Sequence, residues 1–221
     1  MTSFFPCLSI ARGFGALVLA LALVGATCPA SDQTSDRATP APALTGMPLL
    51  KALRSGGYVL YFRHTSTDFG QNDEKMTGYE DCAAQRNLTD QGRAEARAVG
   101  NDIRALGIPV GDVLASPFCR TMETARLIFG RATSTPAVRG GPAVPESPER
   151  YAALRELLAA SVPRGTNVVI VSHGNPYRAV VGGPYLAEGE AAVIEPLGKE
   201  GFRVVARVRL EEWRALGAPP N

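Results

Sequence analysis

The chain has only two histidines, and they occupy matching positions. His64 follows the run Tyr-Val-Leu-Tyr-Phe-Arg, and His173 follows Asn-Val-Val-Ile-Val-Ser. Short β-branched and aromatic runs of this kind are typical of buried strands in a parallel sheet. Ligands of open α/β sheets bind beyond the carboxyl ends of such strands, so we expect both imidazoles in one crevice.

Two arginines accompany these histidines. Arg63 directly precedes His64, and Arg120 follows Leu-Ala-Ser-Pro-Phe-Cys, in the first turn of a predicted helix. A helix N-terminus favours anions, and a guanidinium group grips phosphate oxygens in pairs. Two arginines and two histidines from three strand ends could therefore surround a tetrahedral dianion.

Such a pocket suits phosphoryl transfer. A neutral imidazole can attack phosphorus, and water can then hydrolyse the phosphoramidate that forms. The arginines and a protonated second histidine, His173, would neutralise the phosphoryl oxygens, so we predict neither a metal nor another cofactor. One further acid must protonate the leaving alkoxide and later take a proton from water. Activity should require a neutral His64 and a protonated His173, which predicts a bell-shaped pH profile.

The order of elements predicts an α/β fold, a three-layer sandwich whose mostly parallel sheet is flanked by helices. Strands are predicted at 58–62, 112–115, 167–171, 191–196 and 202–209. Helices are predicted at 49–54, 89–106, from Ser116-Pro117 to Phe129, 147–160 and 176–181, with Thr89 as an N-cap and Gly130 as a helix end. Residues 65–86 are predicted to form a long loop over the site.

The N-terminal segment indicates export. Arg12 precedes an uncharged run from Phe14 to Ala26, which is shorter than the roughly 20 residues that span a bilayer. We predict a signal peptide at 1–30, cleaved after Ala26 or Ala30, a flexible linker at 31–48 and a folded domain at 49–221. An uncleaved membrane anchor, or a lipid on Cys28, remains an alternative. The expected location is periplasmic or secreted.

In an exported protein, cysteines can form disulfides. Cys82 and Cys119 would remain after processing, and both could border the crevice. A disulfide between them is the prediction for an oxidising compartment, and two free buried thiols are the alternative.

The charge balance limits the partners. With 23 basic and 21 acidic residues and no basic stripe, neither nucleic acid nor an anionic membrane surface is an expected partner. A small phosphorylated molecule is expected instead.

Four motifs resemble those of the histidine phosphatase superfamily, which has the phosphoglycerate mutase-like fold. They are Arg63-His64-Thr65 with Thr67, Asn-Leu-Thr-Asp-Gln-Gly-Arg-Ala-Glu-Ala, Leu-Ala-Ser-Pro-Phe-Cys-Arg-Thr-Met-Glu-Thr-Ala and Val-Ser-His-Gly. The resemblance implies that His64 is the phosphorylated nucleophile, that Arg63 and Arg120 clamp phosphate, and that His173 stabilises its charge. Within the motifs, Thr67, Ser172 and Gly174 are the predicted substrate-binding residues. Export favours a phosphatase over a mutase.

The proton donor is less clear from the sequence. Many family members carry a glutamate some distance beyond the second arginine, and Glu146 is the preferred candidate there. The alternatives are Glu149, Glu188, Glu190 and the loop acids Asp68, Asp73 and Glu74.

Other functions fit less well. A metal hydrolase needs at least three ligands, and neither a H-E-x-x-H nor a C-x-x-C motif is present. A two-histidine phosphodiesterase needs His-x-Ser/Thr twice, which His173-Gly174-Asn175 does not supply. The remaining alternative is an exported protein of the same fold that binds a phosphorylated ligand without turnover.

Overall fold

The computed structural model of the chain describes residues 43–218. The predicted signal peptide at 1–30, both cleavage sites, Cys28 and most of the predicted linker lie outside the described residues. Within the described part, no helix is both long and apolar enough to cross a membrane.

The sheet has six described strands. They are β1 (Val59–Arg63), β2 (Val110–Ala115), β3 (Thr133–Ser134), β4 (Asn167–Ser172), β5 (Ala191–Pro196) and β6 (Phe202–Val208). Their spatial order is β3-β2-β4-β1-β5-β6. The pairs β3–β2, β2–β4 and β4–β1 are parallel, and β5 runs antiparallel to both neighbours. The predicted α/β fold with a mostly parallel sheet is confirmed.

Six α-helices accompany the sheet in residues 43–218. They are α1 (Gly46–Ser55), α2 (Asp90–Ala105), α3 (Cys119–Phe129), α4 (Ala152–Ala159), α5 (Gly174–Val181) and α6 (Glu212–Ala215). Thr89 caps α2 as predicted, because its hydroxyl accepts the Gly92 N–H at 3.0 Å. Gly130 ends α3 with φ +73°, a left-handed conformation that favours glycine.

Alternating strand residues separate the two layers of the core. In β1, Leu60 and Phe62 pack with α1, α2, α3 and α6 in one apolar cluster. Val59 and Tyr61 point the other way and pack with α4 and α5 in a second cluster. This period of two follows from the strand geometry and gives the sheet a helical layer on each face.

Several element boundaries differ from the prediction. The segment expected to be helical from Ser147 begins as a 3₁₀ turn, Pro148–Tyr151, before α4. The folded part starts ahead of Leu49, because the Leu44 N–H donates to the Val205 carbonyl at 2.7 Å and its side chain packs on the core. β3 and α6 were not predicted, since two and four residues are too short to show a period.

Candidate active site

The pairing of β1 with β4 brings the two histidines together. The register aligns Arg63 with Ser172, so the next residue of each strand is a histidine. The His64 N–H donates to the Ser172 carbonyl at 3.1 Å. The two imidazole centroids lie 5.5 Å apart, and the residues are only 1% and 6% exposed.

Hydrogen bonding orients the His64 ring. Its Nδ1 lies 3.0 Å from the Thr65 carbonyl, and a carbonyl oxygen can only accept, so Nδ1 carries the proton. The lone pair is therefore on Nε2. Burial lowers the pKa of His64 well below its usual value, and Arg120, Arg63 and Arg86 lower it further, although the Thr65 carbonyl opposes them. A neutral ring is the form that can act as a nucleophile.

His173 is the N-cap residue of α5. Its Nε2 lies 2.8 Å from the Ser116 hydroxyl oxygen, and the Tyr61 hydroxyl donates to its carbonyl at 2.8 Å. Burial, followed by His64 and Arg120, lowers the pKa of His173 well below its usual value. The surrounding protein therefore favours a neutral His173, which differs from our expectation of a protonated ring. The pocket already holds several cations, and a further charge on a buried ring is unfavourable.

The two predicted arginines reach the same pocket from different elements. Arg63, at the end of β1, donates to the Leu186 carbonyl at 2.9 Å and to Glu188 at 3.3 Å. Arg120, in the first turn of α3, is 5% exposed. Its two Nη atoms donate to the carboxylate of Asp73 at 2.9 and 3.0 Å.

Arg86 is a pocket residue that the sequence reasoning missed. Its guanidinium stacks on Phe69 at 4.8 Å, and no carboxylate of the described residues forms an ion pair with it. The Nε atoms of Arg63, Arg86 and Arg120 are all buried, and none has a hydrogen-bond partner in the described part of the chain. Buried donors normally have acceptors, so three together point to an anionic ligand. Arg86 could have been suspected because it directly precedes the Asn-Leu-Thr motif.

The pocket has a volume of about 360 Å³. His64, His173 and the three arginines line it, together with the aromatic side chains of Phe118 and Tyr185. Asp73 is the only carboxylate among the described residues that line it. The pocket is cationic and could accommodate a small anion.

Two of the three predicted substrate-binding residues lie elsewhere. Gly174 lines the pocket. Thr67 does not, because its hydroxyl and N–H donate to Glu188 at 2.7 and 3.1 Å. The Ser172 hydroxyl donates to the Val138 carbonyl at 2.6 Å. Both hydroxyls thus hold neighbouring segments in place.

The structure does not bring Glu146 to the pocket. Its side chain is exposed, and it is not among the residues lining the site. The other glutamates are engaged: Glu149 bonds Ser147, Glu190 pairs with Arg207, and Glu188 pairs with Arg63. Glu188 lies 3.9 Å from the Nδ1 of His64, which is the proton-bearing nitrogen.

The predicted disulfide between Cys82 and Cys119 is confirmed, with Cα atoms 5.7 Å apart. It joins a 3₁₀ turn, Cys82–Ala84, to the first residue of α3. The loop at one end of the bond carries Asp73 and Arg86, and the helix at the other end carries Arg120. Among residues 43–218, no cluster of three or more His, Cys, Asp or Glu side chains is arranged to hold a metal ion.

Comparison with known proteins gives a family model that matches part of the chain and solved structures of similar fold. Residues 59–141 match the model of the histidine phosphatase superfamily, branch 1. Curated proteins give no match. A mycobacterial glucosyl-3-phosphoglycerate phosphatase, solved with inorganic phosphate, shares the fold with a TM-score of 0.53 and 14% identity, over 71% of this chain and 99% of that chain.

Two further solved structures are similar. A protein from Agrobacterium tumefaciens assigned as the phosphohistidine phosphatase SixA has a TM-score of 0.49 and 16% identity, over 69% of this chain and 97% of that chain. A phosphoserine phosphatase from Entamoeba histolytica has a TM-score of 0.47 and 12% identity, over 68% and 95%.

Proposed function

We propose that this chain, whose residues 59–141 match the histidine phosphatase superfamily model, is an exported phosphomonoesterase that forms a phosphohistidine intermediate on His64. One observation carries the proposal. A neutral, oriented imidazole lies in a pocket where three arginines each keep a buried Nε donor without a partner among the described residues. That combination supplies a nucleophile and a binding site for phosphoryl oxygens.

In the first step, the Nε2 of His64 attacks phosphorus and the ester oxygen leaves. The carbonyl of Thr65 holds the proton on Nδ1, and this hydrogen bond stabilises the positive charge that the ring gains. In the second step, water attacks the phosphohistidine and releases phosphate. The catalytic residues of this scheme are His64, Arg63, Arg86, Arg120 and His173.

The arginines provide the charge that phosphoryl transfer requires. Arg63, Arg86 and Arg120 can each donate hydrogen bonds to the equatorial oxygens, so the proposed reaction needs no metal. His173 lies 5.5 Å from His64, centroid to centroid. It would donate to a phosphoryl oxygen, and a bound dianion would counter the burial that lowers its pKa.

The substrate is proposed to be a small phosphate ester. A volume of about 360 Å³ is near the lower end of ligand sites, which range over about 300–1,000 Å³. Phe118 and Tyr185 line the pocket beside the arginines, and Tyr185 is 46% exposed. The organic part of the ester would therefore contact aromatic faces near the opening.

Export rests on two independent features. The N-terminal sequence has the pattern of a signal peptide, and the Cys82–Cys119 disulfide is typical of proteins in oxidising compartments. The near balance of basic and acidic residues gives no reason to expect nucleic acid as a partner.

Hydrolysis of 4-nitrophenyl phosphate by the purified protein tests this proposal. We expect turnover by the wild type and by Glu146→Gln, and a loss of at least about 1,000-fold in His64→Gln, because no other group replaces a covalent nucleophile. Full activity in His64→Gln would refute the phosphohistidine route. Tight phosphate binding by a wild type that does not hydrolyse the ester would instead identify a binding protein.

A further inference from the structure

Asp73 is in an unusual position for a loop carboxylate. It lines the same pocket as His64 and His173, and its side chain is 31% exposed. Both of its oxygens accept from the Nη atoms of Arg120, at 2.9 and 3.0 Å. The Arg86 N–H also donates to it at 2.9 Å. A carboxylate therefore occupies the donors that would otherwise meet phosphoryl oxygens.

We propose that Asp73 is the general acid of the reaction, and that the substrate phosphoryl group takes its place on Arg120. This inference rests on the proposed phosphatase function. It assigns the proton donor to the loop after the nucleophile, rather than to Glu146 beyond the second arginine.

The direction of attack supports this assignment. Phosphoryl transfer needs the nucleophile and the leaving oxygen roughly in line. His64 is 1% exposed, whereas the Asp73 side chain is 31% exposed, and both residues line the pocket. A leaving oxygen directed away from the buried imidazole would point toward the more exposed part of the lining, to which Asp73 belongs.

The ion pair with Arg120 also explains how an aspartate could carry a proton. Burial raises the pKa of Asp73, but the hydrogen bonds from Arg120 and the Arg86 N–H outweigh it, and the net pKa is lowered. When phosphoryl oxygens occupy Arg120, Asp73 loses its cationic partner and gains an anionic neighbour. Both changes favour the protonated carboxyl, as expected for like charges that share a site.

The proton balance closes over the two steps. The protonated Asp73 donates its proton to the ester oxygen while the P–O bond to the alcohol breaks and the P–N bond to His64 forms. The resulting carboxylate then takes a proton from the water that attacks phosphorus, and the P–N bond breaks. Asp73 takes up its proton from solvent when the ester displaces it from Arg120, is protonated again after the second step, and returns the proton to solvent when the ion pair re-forms. The products are an alcohol and phosphate.

Leaving-group dependence is the test. Glycerol 2-phosphate releases a strongly basic alkoxide, which needs an acid, and 2,4-dinitrophenyl phosphate releases a stable phenolate, which does not. We expect Asp73→Asn to lower kcat/KM, which reports the steps up to release of the alcohol, by about 100- to 10,000-fold for the glycerol ester and by less than about tenfold for the dinitrophenyl ester. Asp68→Asn is the matched control, because Asp68 is an exposed acid of the same loop that does not line the pocket.

Two results would overturn the inference while leaving the phosphatase intact. An equal loss on both esters would mean that Asp73 only positions Arg120. Higher activity on both esters would mean that Asp73 only competes with the substrate for Arg120. Asp73→Ala should also lose much more activity on the glycerol ester than on the dinitrophenyl ester. This second variant shows that the difference is not caused by the asparagine side chain. If the wild type hydrolyses neither ester, the proposed function itself fails, and the assignment fails with it.

Discussion

Three arginine side chains set the binding properties of the pocket at the scale of single residues. Arg63 pairs with Glu188 and Arg120 with Asp73. The guanidinium of Arg86 forms no ion pair within the described residues and stacks only on Phe69. Arg86 is therefore the cation whose charge the protein itself compensates least, and we expect phosphate binding to depend on it strongly.

Replacing Arg86 with methionine tests that expectation. A charge-assisted hydrogen bond contributes about 1.5–3 kcal/mol, so the KM for 4-nitrophenyl phosphate and the inhibition constant for phosphate should both rise at least about tenfold. Arg97→Met is the control, since Arg97 is exposed on α2 and does not line the pocket. Unchanged constants in the Arg86 variant would remove this residue from the site.

Site residues next to strands and helices could be predicted from the sequence, whereas those in a long loop could not. His64, His173, Arg63 and Arg120 sit at the ends of strands or in the first turn of a helix, so hydrophobic periodicity located them. Asp73 and Arg86 belong to a long loop without periodicity, and only the folded path shows that they face the pocket. Glu146 was selected by its distance along the chain from Arg120, which says little about position when the connecting segment is a loop.

At the scale of elements, the disulfide fixes the loop to α3. It closes a sequence separation of 37 residues and lies beside the Cys119 N–H bond to Gln85, at 2.9 Å. The segment held in this way includes Arg86, and Arg120 follows Cys119 directly in the chain. The geometry of the proposed phosphate site and the stability of the domain should therefore both depend on this covalent link.

The double variant Cys82→Ser/Cys119→Ser measures that dependence. Loss of a disulfide of this span should lower the free energy of unfolding by about 2–4 kcal/mol, because the unfolded chain regains loop entropy. The KM for 4-nitrophenyl phosphate should rise as well. Urea unfolding of the wild type with and without a reductant, beside the double variant, checks both effects. A reductant that destabilises the double variant equally would show that the effect does not come from this bond.

Elements were predicted well where they are long and amphipathic. The sequence located α2 and α3 almost to the residue, because capping and glycine signals bound them. The segment before α4 was predicted as helix but forms a 3₁₀ turn, in which Tyr151 is buried and its hydroxyl donates to the Pro142 carbonyl at 2.7 Å. Such a tertiary contact is not visible in a local pattern.

At the scale of the whole molecule, burying two neutral imidazoles links stability to pH. The pKa of each histidine is lower in the folded protein than the unfolded value of about 6.5. Below that value the unfolded chain binds more protons than the folded one, so stability is complete above about pH 6.5 and is lost as the pH falls. Asp73 and Glu190 also have lowered pKa values, but their contributions disappear only in the more acidic carboxylate range.

Unfolding by urea between pH 7.5 and 5 should show this linkage. We expect the wild type to lose up to roughly 1.4 kcal/mol per histidine for each pH unit below about 6.5. The variant His64→Gln/His173→Gln should lose much less over the same range. Equal pH dependence in the two proteins would mean that the histidines titrate normally in the fold.

The alternation of strands and helices predicted the global fold, because a right-handed βαβ crossover leaves few arrangements of a parallel sheet. The direction of β5 was not predicted. Its short connection to β6 suits an antiparallel hairpin, and β5 is also antiparallel to β1. The sequence predicted that residues 65–86 form a loop over the site, and Asp73 and Arg86 of this loop line the pocket. The sequence did not reveal which of its side chains would do so, since that depends on the disulfide and on the ion pair between Asp73 and Arg120.

The most direct test of the central claim is the identification of the phosphorylated atom. The wild type should be mixed with a radiolabelled phosphomonoester, quenched in alkali, where phosphohistidine is stable, and mapped by peptide analysis and phosphorus NMR. We expect acid-labile label on the Nε2 of His64, because Nδ1 is hydrogen-bonded to the Thr65 carbonyl, and no label in His64→Gln. Label on Nδ1, on His173 or on any other side chain would contradict it.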